Sequence, residues 1–232
     1  LADPLRLFPP EVTFTAYKEL FTFPLMKTGY FSTIFVTVVG TALNIFLLCI
    51  TAYPLSKRNL KGRNVIMALI TFTMFFNGGM IPNYMLIRNL KLLDTYWALI
   101  LPGAISAYNL ILMRNFVAAI PPSLEEAAYI DGAGFLRTFF QIMMPCAKGG
   151  LTSAAVLCFL NTWNEFTFSL ILTSSESART LPLSLSYFTS QFSFNYTALF
   201  AAVTIAVIPS IIVFAIFQEQ VVSSLTAGSV KE

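Results

Sequence analysis

Residues 126–132 form a short polar stretch whose residue types suit the binding of another protein. They read Glu-Ala-Ala-Tyr-Ile-Asp-Gly, and an isoleucine and a proline follow further along the chain. Small side chains let the surface of a partner approach closely, and long apolar runs flank the stretch on both sides. A protein held in a membrane by such runs would present this stretch to a soluble partner. The candidate residues are Glu126, Ala127, Ala128, Asp131, Gly132, Ile142 and Pro145.

A second polar group, Asn161, Trp163, Asn164 and Glu165, lies within an apolar run. Glu165 is the only acidic residue that we place well inside a membrane span, where a carboxylate costs roughly 3 kcal/mol unless it faces a cavity or a partner. Asn161 and Glu165 are four residues apart and share one helical face, while Trp163 points elsewhere. Amides, a carboxylate and an indole could bind sugar hydroxyls and a pyranose face. They could also clamp or gate neighbouring helices through hydrogen bonds.

The composition indicates a membrane protein without catalytic chemistry of its own. Of the 232 residues, 56% are hydrophobic and 11% are charged, whereas soluble domains carry roughly 25% charged residues. The chain has no histidine, which removes the commonest general base and metal ligand. Its three cysteines have no metal-site or disulfide spacing, and no Walker-type phosphate loop is present. We therefore expect this chain to bind no metal, cofactor, ATP or nucleic acid.

Five apolar runs approach the roughly 20 residues that a membrane-spanning helix needs. We predict an all-α, polytopic fold with a transmembrane domain over residues 29–218, after an extracytoplasmic segment 1–28 and before a cytoplasmic tail 219–232. A break is expected at residues 77–79, and a kink is expected at Pro102 and Gly103. The predicted spans are residues 30–53, 65–82, 96–117, 151–173 and 197–217.

A short loop between the first two spans fixes the predicted orientation. It carries Lys57, Arg58, Lys61 and Arg63, and the positive-inside rule places such a loop in the cytoplasm. Counting spans then places residues 121–148 in the cytoplasm as well. Residues 83–95, whose leucines are spaced for an amphipathic interfacial helix, and residues 174–196 are expected outside.

The outer segment 174–196 carries several aromatic side chains, among them Tyr187, Phe188 and Phe192. Exposed aromatic residues at this position could grip a soluble protein outside the membrane. They could also lie at the level of the lipid headgroups, where tyrosine and other aromatic residues are enriched. The pattern of residues leaves both interpretations open.

Local signals predict a first short helix over residues 124–131. Ser123 and Glu126 have the spacing of a capping box, and Gly132 is expected to end the helix in a left-handed conformation. Asp131 at the C-terminal end opposes the helix dipole. We therefore expect a cation to compensate it, either from Arg137 or from a partner.

A second short helix is predicted over residues 135–144. Pro145 is expected to stop it, because proline cannot donate the backbone hydrogen bond that a helix needs. The pair of helices would lie outside the bilayer as a helix–turn–helix, between the third and fourth predicted spans.

The stretch beginning at Glu126, with Gly132 and the later Ile142 and Pro145, resembles the cytoplasmic signature of bacterial ABC importer permeases. Met144 stands where that signature has leucine, a volume-conserving change. Residues 79–95, 163–166 and 225–231 are similar to the carbohydrate subgroup of these permeases, of the maltose and oligosaccharide type. The resemblance covers about residue 30 to the C-terminus.

The resemblance implies a type I ABC importer transmembrane fold and ATP-driven import of an oligosaccharide or polysaccharide fragment by alternating access. Its signature loop is a coupling helix that docks on an ATPase subunit. Such permeases have six spans, so we expect a sixth, N-terminal span to be missing from the five predicted here. The implied partners are a second, different permease chain, two ATPase subunits that bind ATP and Mg²⁺, an extracytoplasmic substrate-binding protein and lipid of the bacterial inner membrane.

Other functions are weaker interpretations of the same sequence. An ABC importer for a non-sugar solute is the nearest alternative. A stand-alone secondary transporter would be expected to have inverted repeats with paired broken helices, and no such repeat is evident. An intramembrane enzyme would need paired titratable groups at a recognisable spacing, which the chain lacks.

Overall fold

The computed structural model describes residues 13–190 and 196–227, without the side chains of Glu19, residues 188–190 and residues 223–227. Every regular element of this described part is helical. Helix α8 contains a π-helical turn at Phe139–Met143. The helices are α1 (Thr15–Thr22), α2 (Pro24–Ser56), α3 (Arg63–Phe75), α4 (Met80–Asn89), α5 (Tyr96–Ile100), α6 (Ala107–Ala118), α7 (Pro122–Ile130), α8 (Phe135–Cys146), α9 (Lys148–Trp163), α10 (Thr167–Leu172), α11 (Leu181–Ser190) and α12 (Tyr196–Ala227).

Helix α2 is the centre of the bundle. It packs against α5, α6, α9 and α11, and α12 packs on the far side of α9. The residues of α2 that face these neighbours include the small or polar side chains Ser32, Thr33 and Asn44, all buried. Small and hydroxyl-bearing side chains let helices approach closely and hydrogen-bond inside a membrane. The outward side chains of α2, such as Phe31 and Phe46, are apolar and exposed, as a lipid-facing surface requires.

Two helices of the described chain are long and apolar enough to cross a membrane, Pro24–Ser56 and Tyr196–Val222. Two bent pairs qualify together, namely α3 with α4, which meet at 111°, and α8 with α9, which meet at 75°. The described part therefore has two to four candidate spans, and the predicted count of five is not confirmed. The predicted break at residues 77–79 does fall between α3 and α4.

Three helix ends lie beyond the limits of the predicted spans, while the membrane limits themselves stay predictions. Helix α2 begins at Pro24, inside the segment 1–28 that we expected to precede the membrane domain, and it continues past Pro54 to Ser56. Pro54 removes one backbone hydrogen bond from the last turn, which is held in place by the packing of the buried Tyr53 and Leu55. Helix α12 continues past residue 217 to Ala227, so the first part of the predicted tail is helical. The remaining tail lies outside the described residues.

The third and fourth predicted spans are each broken rather than continuous. Residues 101–106 separate α5 from α6, where only a kink was expected, and residues 164–166 separate α9 from α10. Backbone groups freed by a break inside a membrane must find other partners. The first break is bound by the side chain of Asn44, whose Nδ2 donates to the carbonyls of Gly103 at 3.3 Å and Ala104 at 3.1 Å.

The bundle has two polar ends, which we name by the predicted orientation. At the inner end, Lys57 of the basic loop forms an ion pair with Glu125 of α7. At the outer end, Asp94 accepts hydrogen bonds from Ser174 and Ser175. The structure thus brings together the two segments predicted to lie inside, and separately the two predicted to lie outside.

Candidate functional site

Helix α7 begins at Pro122, not at the predicted capping box. The residue before it, Pro121, makes no side-chain capping bond, and Pro122 occupies the first helical position. Proline suits that position because its φ angle is already helical and its missing N–H would be unpaired anyway. Ser123 and Glu126 therefore lie within the first turns of the helix, and Glu126 is exposed.

The C-terminal end of α7 agrees with the sequence prediction. Gly132 has φ +78°, the left-handed conformation expected of it. Its N–H donates to the carbonyl of Tyr129 at 3.1 Å, and the N–H of Ala133 donates to the carbonyl of Ala128 at 2.9 Å. These two bonds form a Schellman motif, which satisfies the last carbonyls of the helix. The chain is thereby turned sharply towards α8.

A three-residue contact fixes α7 to the bundle. The carboxylate of Glu125 pairs with the ammonium of Lys57 and accepts a hydrogen bond of 2.6 Å from the hydroxyl of Tyr53. The Lys57 ammonium also lies 4.4 Å from the centroid of the Tyr53 ring. Partial burial raises the pKa of Glu125, but the hydrogen bonds from Lys57 and Tyr53 and the charge of Lys57 outweigh it and lower that pKa. Glu125 is therefore ionised and bound at neutral pH.

Apart from Tyr129, which interacts with the side chain of Tyr53, the side chains on the remaining face of α7 have no partner within the described chain. Ile130 is 85% exposed, and Tyr129 and Leu124 are 48% and 43% exposed. Ala127 is exposed as well, whereas Ala128 is buried against the bundle. One exposed apolar side chain is ordinary, but Leu124, Tyr129 and Ile130 are exposed together on one short helix outside the membrane-spanning helices, and such a group is a candidate surface for another protein.

Helix α8 differs from the predicted stop at Pro145. It runs through Pro145 to Cys146, and the chain turns only at Ala147. The π-helical turn before Pro145 is a place where the regular hydrogen-bond pattern already changes, so the absent N–H is accommodated. Ile142 is half-buried on this turn, and Pro145 is exposed.

Asp131 lacks the intrachain cation that the helix dipole led us to expect. It caps α7 and is exposed. Arg137 instead donates to the side-chain oxygen of Gln141 at 3.1 Å. Within the described part of the chain, no ion pair to Asp131 is formed. A cation from a partner remains the available compensation.

A cavity of about 180 Å³ is lined by residues from both helix breaks, and we call it the inter-break cavity. Glu165 lies in the second break, where its Oε1 accepts from the N–H of Phe168 at 2.8 Å and so caps α10. The expected helical face shared by Asn161 and Glu165 was wrong, because α9 ends at Trp163. Both side chains nevertheless line this one cavity. Its polar lining is Asn44, Ser106, Asn109, Asn161, Thr162, Glu165 and Thr180.

Trp163 and Asn164 do not line the inter-break cavity. Trp163 is 5% exposed, and its Nε1 donates to the carbonyl of Ala206 on α12 at 3.0 Å. It therefore points away from Asn161, as the spacing predicted, and packs two helices together. Asn164 caps α9 with a 2.8 Å bond to the carbonyl of Leu160. Phe168, which the sequence analysis did not single out, is the aromatic residue in the cavity.

The outer end is held by Asp94. Its Oδ1 accepts from the backbone N–H groups of Ser174 and Ser175, both at 2.8 Å, and from the Ser175 hydroxyl at 3.0 Å. The hydrogen bond from the Ser175 N–H is the main reason why the pKa of Asp94 is lowered; burial opposes it, but the hydrogen bonds from the Ser174 N–H and the Ser175 hydroxyl and the charge of Arg179 lower the pKa further. Asp94 has φ +62°, a left-handed conformation that aspartate tolerates.

Of the three aromatic residues predicted to bind a partner outside, only Tyr187 has a described side chain. It is half-buried, and the guanidinium of Arg179 lies 4.8 Å from the centroid of its ring. The side chain of Phe188, and Phe192 as a whole, lie outside the described residues.

Sequence reasoning missed three residues that matter most to these sites: Glu125, Asp94 and Asn44. Glu125 stands beside Glu126, and two adjacent carboxylates in one helical turn must face different ways, which was an available signal. Asp94 had a signal too, because it is the only acidic residue in the segment 83–95. Asn44 had only its polarity within an apolar run.

With this geometry in place, the family of the chain can be stated. Residues 45–226 match the family described as binding-protein-dependent transport system inner membrane component. The chain belongs to that family. It is accordingly a membrane transport subunit, as the apolar helices and the loop between α6 and α9 indicate.

Curated relatives and a solved structure agree with this family. The chain is 36% identical to Protein LplC of Bacillus subtilis (strain 168) over 97% of this chain and 81% of LplC. It is 42% identical to the polygalacturonan/rhamnogalacturonan transport system permease protein YtcP of the same strain, over 75% of this chain and 60% of YtcP. A chain of a bacterial ABC transporter involved in the import of the acidic polysaccharide alginate superposes with a TM-score of 0.85 and 34% identity, over 91% of this chain and 81% of that one.

Proposed function

We propose that this chain is a permease subunit of an ATP-driven importer that moves a carbohydrate, as an oligosaccharide or polysaccharide fragment, across the bacterial inner membrane. The observation that carries the proposal is the unpartnered face of α7 within a chain of this transport family. The names of the relatives support the substrate class, since a polygalacturonan/rhamnogalacturonan permease and an alginate importer both handle saccharides.

Helix α7 is proposed to be the coupling helix that docks on an ATPase subunit. Glu126, Ala127 and Ile130 supply the exposed contact surface, and Gly132 sets the sharp turn that presents it. Asp131, with no cation of its own, would pair with a basic residue of the ATPase. On α8, Ile142 and Pro145 support the same loop, and Ala128 packs it against the bundle.

The contact of Glu125 with Lys57 and Tyr53 gives this docking surface a rigid connection to the membrane helices. Tyr53 lies in α2, and its ring packs edge-on against Phe139 of α8 with centroids 5.1 Å apart. A displacement of α7 would therefore be passed to α2 and α8 together. When ATP binding closes the dimer of ATPase subunits, α7 and its counterpart on the partner permease are drawn together. The membrane helices then open to the outside.

The partners in this proposal are a second permease chain, two ATPase subunits that hold ATP and Mg²⁺, and an extracytoplasmic substrate-binding protein. The match to a binding-protein-dependent transport family supports the last of these. Tyr187, with Phe188 and Phe192, is proposed to contribute to the surface that receives the binding protein. This chain breaks no bonds itself.

Asn161 and Glu165 are proposed to lie on the substrate pathway. Both line the inter-break cavity, and discontinuous helices are where transporters commonly form substrate sites. Trp163 and Asn164 have a supporting role in this proposal, because they hold the end of α9 in place rather than facing the cavity.

Co-purification of the transporter tests the docking proposal. The complex would be isolated through a tag on the ATPase subunit, and ATP hydrolysis would be measured with and without the loaded binding protein. Glu126→Arg and Gly132→Pro are expected to reduce both the retained permease and the stimulated hydrolysis. Arg137→Gln, a change of an exposed side chain in the same loop, is the control and should retain both. Unchanged complex and stimulation in Glu126→Arg and Gly132→Pro would show that α7 is only a connector.

A further inference from the structure

We propose that the inter-break cavity holds one neutral, hydroxyl-bearing sugar unit, and that Glu165 makes this position reject a uronate. The inference rests on carbohydrate import as the proposed function. It adds which part of a saccharide this chain contacts and which chemical variant of that unit it excludes.

The charge of the cavity lining disfavours an anionic ligand. Glu165 is the only charged residue among the described lining residues, and no lysine or arginine is among them. Inside a helix bundle the dielectric is low, so two negative charges repel more strongly than they do in water. A uronate carboxylate entering the cavity would meet Glu165 with no cation to offset it.

The hydrogen-bonding groups of the cavity lining favour a neutral, hydroxyl-bearing ligand. Three amides line the cavity, those of Asn44, Asn109 and Asn161. Each side-chain amide can both donate and accept, and so can each hydroxyl of a sugar. Ser106 and Thr180 add hydroxyls of the same versatility. Such a lining matches a neutral polyol better than it matches an anion.

Asn44 connects the cavity to the break between α5 and α6. The residue is 1% exposed, and its Nδ2 is fully used by the carbonyls of the α5–α6 break. Its Oδ1 has no hydrogen-bond partner within the described chain.

The apolar part of the cavity lining suits the apolar face of a sugar ring. Phe168, Leu99 and Val36 line the same cavity. A pyranose ring has an apolar C–H face that packs well on an aromatic or aliphatic surface. A volume of about 180 Å³ leaves room for a single sugar ring, and the rest of a longer fragment would extend out of the cavity. An acidic unit of a mixed polysaccharide would therefore have to be held elsewhere in the transporter.

Thiol protection in the complete transporter tests this inference. The purified complex would carry Asn161→Cys as a reporter, with Cys49, Cys146 and Cys158 changed to alanine. The reporter thiol would react with a cationic and with an anionic methanethiosulfonate of similar size, each forming a mixed disulfide and releasing methanesulfinate, and the rates would be measured. The anionic reagent is expected to react several-fold more slowly. Glu165→Gln should abolish that difference, while the matched charge removal Glu219→Gln, at an exposed position of α12, should leave it unchanged.

Two monosaccharides then test the ligand itself. Galactose and galacturonate share a ring and differ only at C6, where a hydroxymethyl group is replaced by a carboxylate. Galactose at high concentration is expected to slow this modification of the thiol, and galacturonate is expected to slow it only in Glu165→Gln. Equal protection by galacturonate in the wild-type background would overturn the selectivity, and protection by neither sugar would overturn the site.

Native Cys158 provides a second reporter if Asn161→Cys does not assemble. It lines the same cavity and needs only Cys49 and Cys146 to be replaced, and the same outcomes apply. Failure of the importer proposal can be distinguished from failure of the cavity proposal. The importer proposal is tested by co-purification with the ATPase subunit, which does not involve the cavity.

Discussion

At the inner end of the bundle, Glu125 is bound by Lys57 and Tyr53, and at the outer end Asp94 is bound by Ser174 and Ser175. Each carboxylate fastens a loop to the helices, and each has a lowered pKa for that reason. The two loops differ in which side chains remain exposed after this attachment. In the inner loop, the apolar face of α7 with Ile130 remains exposed.

The outer loop is instead closed on the bundle. The carbonyl of Ser177 accepts hydrogen bonds of 3.0 Å from the hydroxyls of Ser32 and Tyr96, and Arg179 donates to the carbonyl of Ser174 at 3.1 Å. At each end one carboxylate, Glu125 or Asp94, attaches the loop to the helices and is not available as a contact surface. The contact surface at the inner end is recognised by unpartnered apolar side chains.

The largest effect is expected from Ile130→Asp. A charge placed at the centre of the proposed contact should weaken binding of the ATPase subunit by about 2 kcal/mol, or roughly 30-fold. Because Ile130 is 85% exposed, the stability of the permease itself should hardly change. Binding of the purified ATPase subunit to the solubilised permease pair would be titrated, with Ile130→Leu as the control. Equal affinity of Ile130→Asp and Ile130→Leu would contradict the proposal that the inner end, unlike the outer end, binds a partner through exposed apolar side chains.

A smaller effect is expected from Glu125→Gln. Loss of the charge leaves Lys57 without its partner and weakens the Tyr53 bond, which should destabilise the attachment of α7 by about 1–2 kcal/mol. ATPase binding should survive, while stimulated ATP hydrolysis should fall, because the docked helix would no longer move α2. The double variant with Lys57→Met should be closer to wild type than the sum of the single changes.

The same contact predicts a pH dependence. The folded-state pKa of Glu125 is lowered, so its contribution is present above the ordinary glutamate pKa of about 4.3 and is lost as the pH falls through the lowered folded value. The stability difference between wild type and Glu125→Gln should therefore stay constant from pH 7 to about pH 5 and shrink below about pH 4. Thermal unfolding in detergent across this range would measure it. A difference that grows in acid would contradict the ion pair.

Gly132→Ala tests the turn that presents α7. Its φ of +78° is unfavourable for alanine by about 1 kcal/mol, even though no heavy atom lies within 4 Å of the added methyl group. Gly134 is the matched control, because it also has open space around it but an ordinary φ of −71°. ATPase stimulation should be reduced by Gly132→Ala and unaffected by Gly134→Ala. Equal results would mean that the left-handed turn does not position the helix.

The smallest effect is expected from Asp94→Asn at the outer end. The amide can still accept hydrogen bonds, and Asp94 is exposed, so the loss should be about 0.5 kcal/mol. Backbone hydrogen exchange should rise at Ser174 and Ser175. Binding of the ATPase subunit should be unchanged, and a change in that binding would show that the two ends are not separate surfaces.

The sequence was sufficient where structure is decided locally. The Schellman motif at Gly132 and the break at residues 77–79 follow from glycine at positions that need it. The grouping of the two inner and the two outer segments followed from charge and hydropathy. The family signature pointed to the loop that carries α7.

The sequence was insufficient where a tertiary contact decides. Apolar runs cannot reveal that a glutamate such as Glu165 caps a new helix, so α9 and α10 were predicted as one span. Which of the adjacent residues Glu125 and Glu126 faces the bundle depends on the distant Tyr53. The role of Asn44 likewise depends on a helix break that only a neighbouring helix can support.

The most direct test of the account is hydrogen exchange of the assembled transporter with and without its soluble partners. Peptides covering residues 122–133 and residues 173–187 would be compared. We predict that the ATPase subunits slow exchange in the first peptide and leave the second unchanged, while the loaded binding protein does the reverse. If the ATPase subunits left residues 122–133 unchanged, α7 would not be the docking helix, and the central claim would be contradicted.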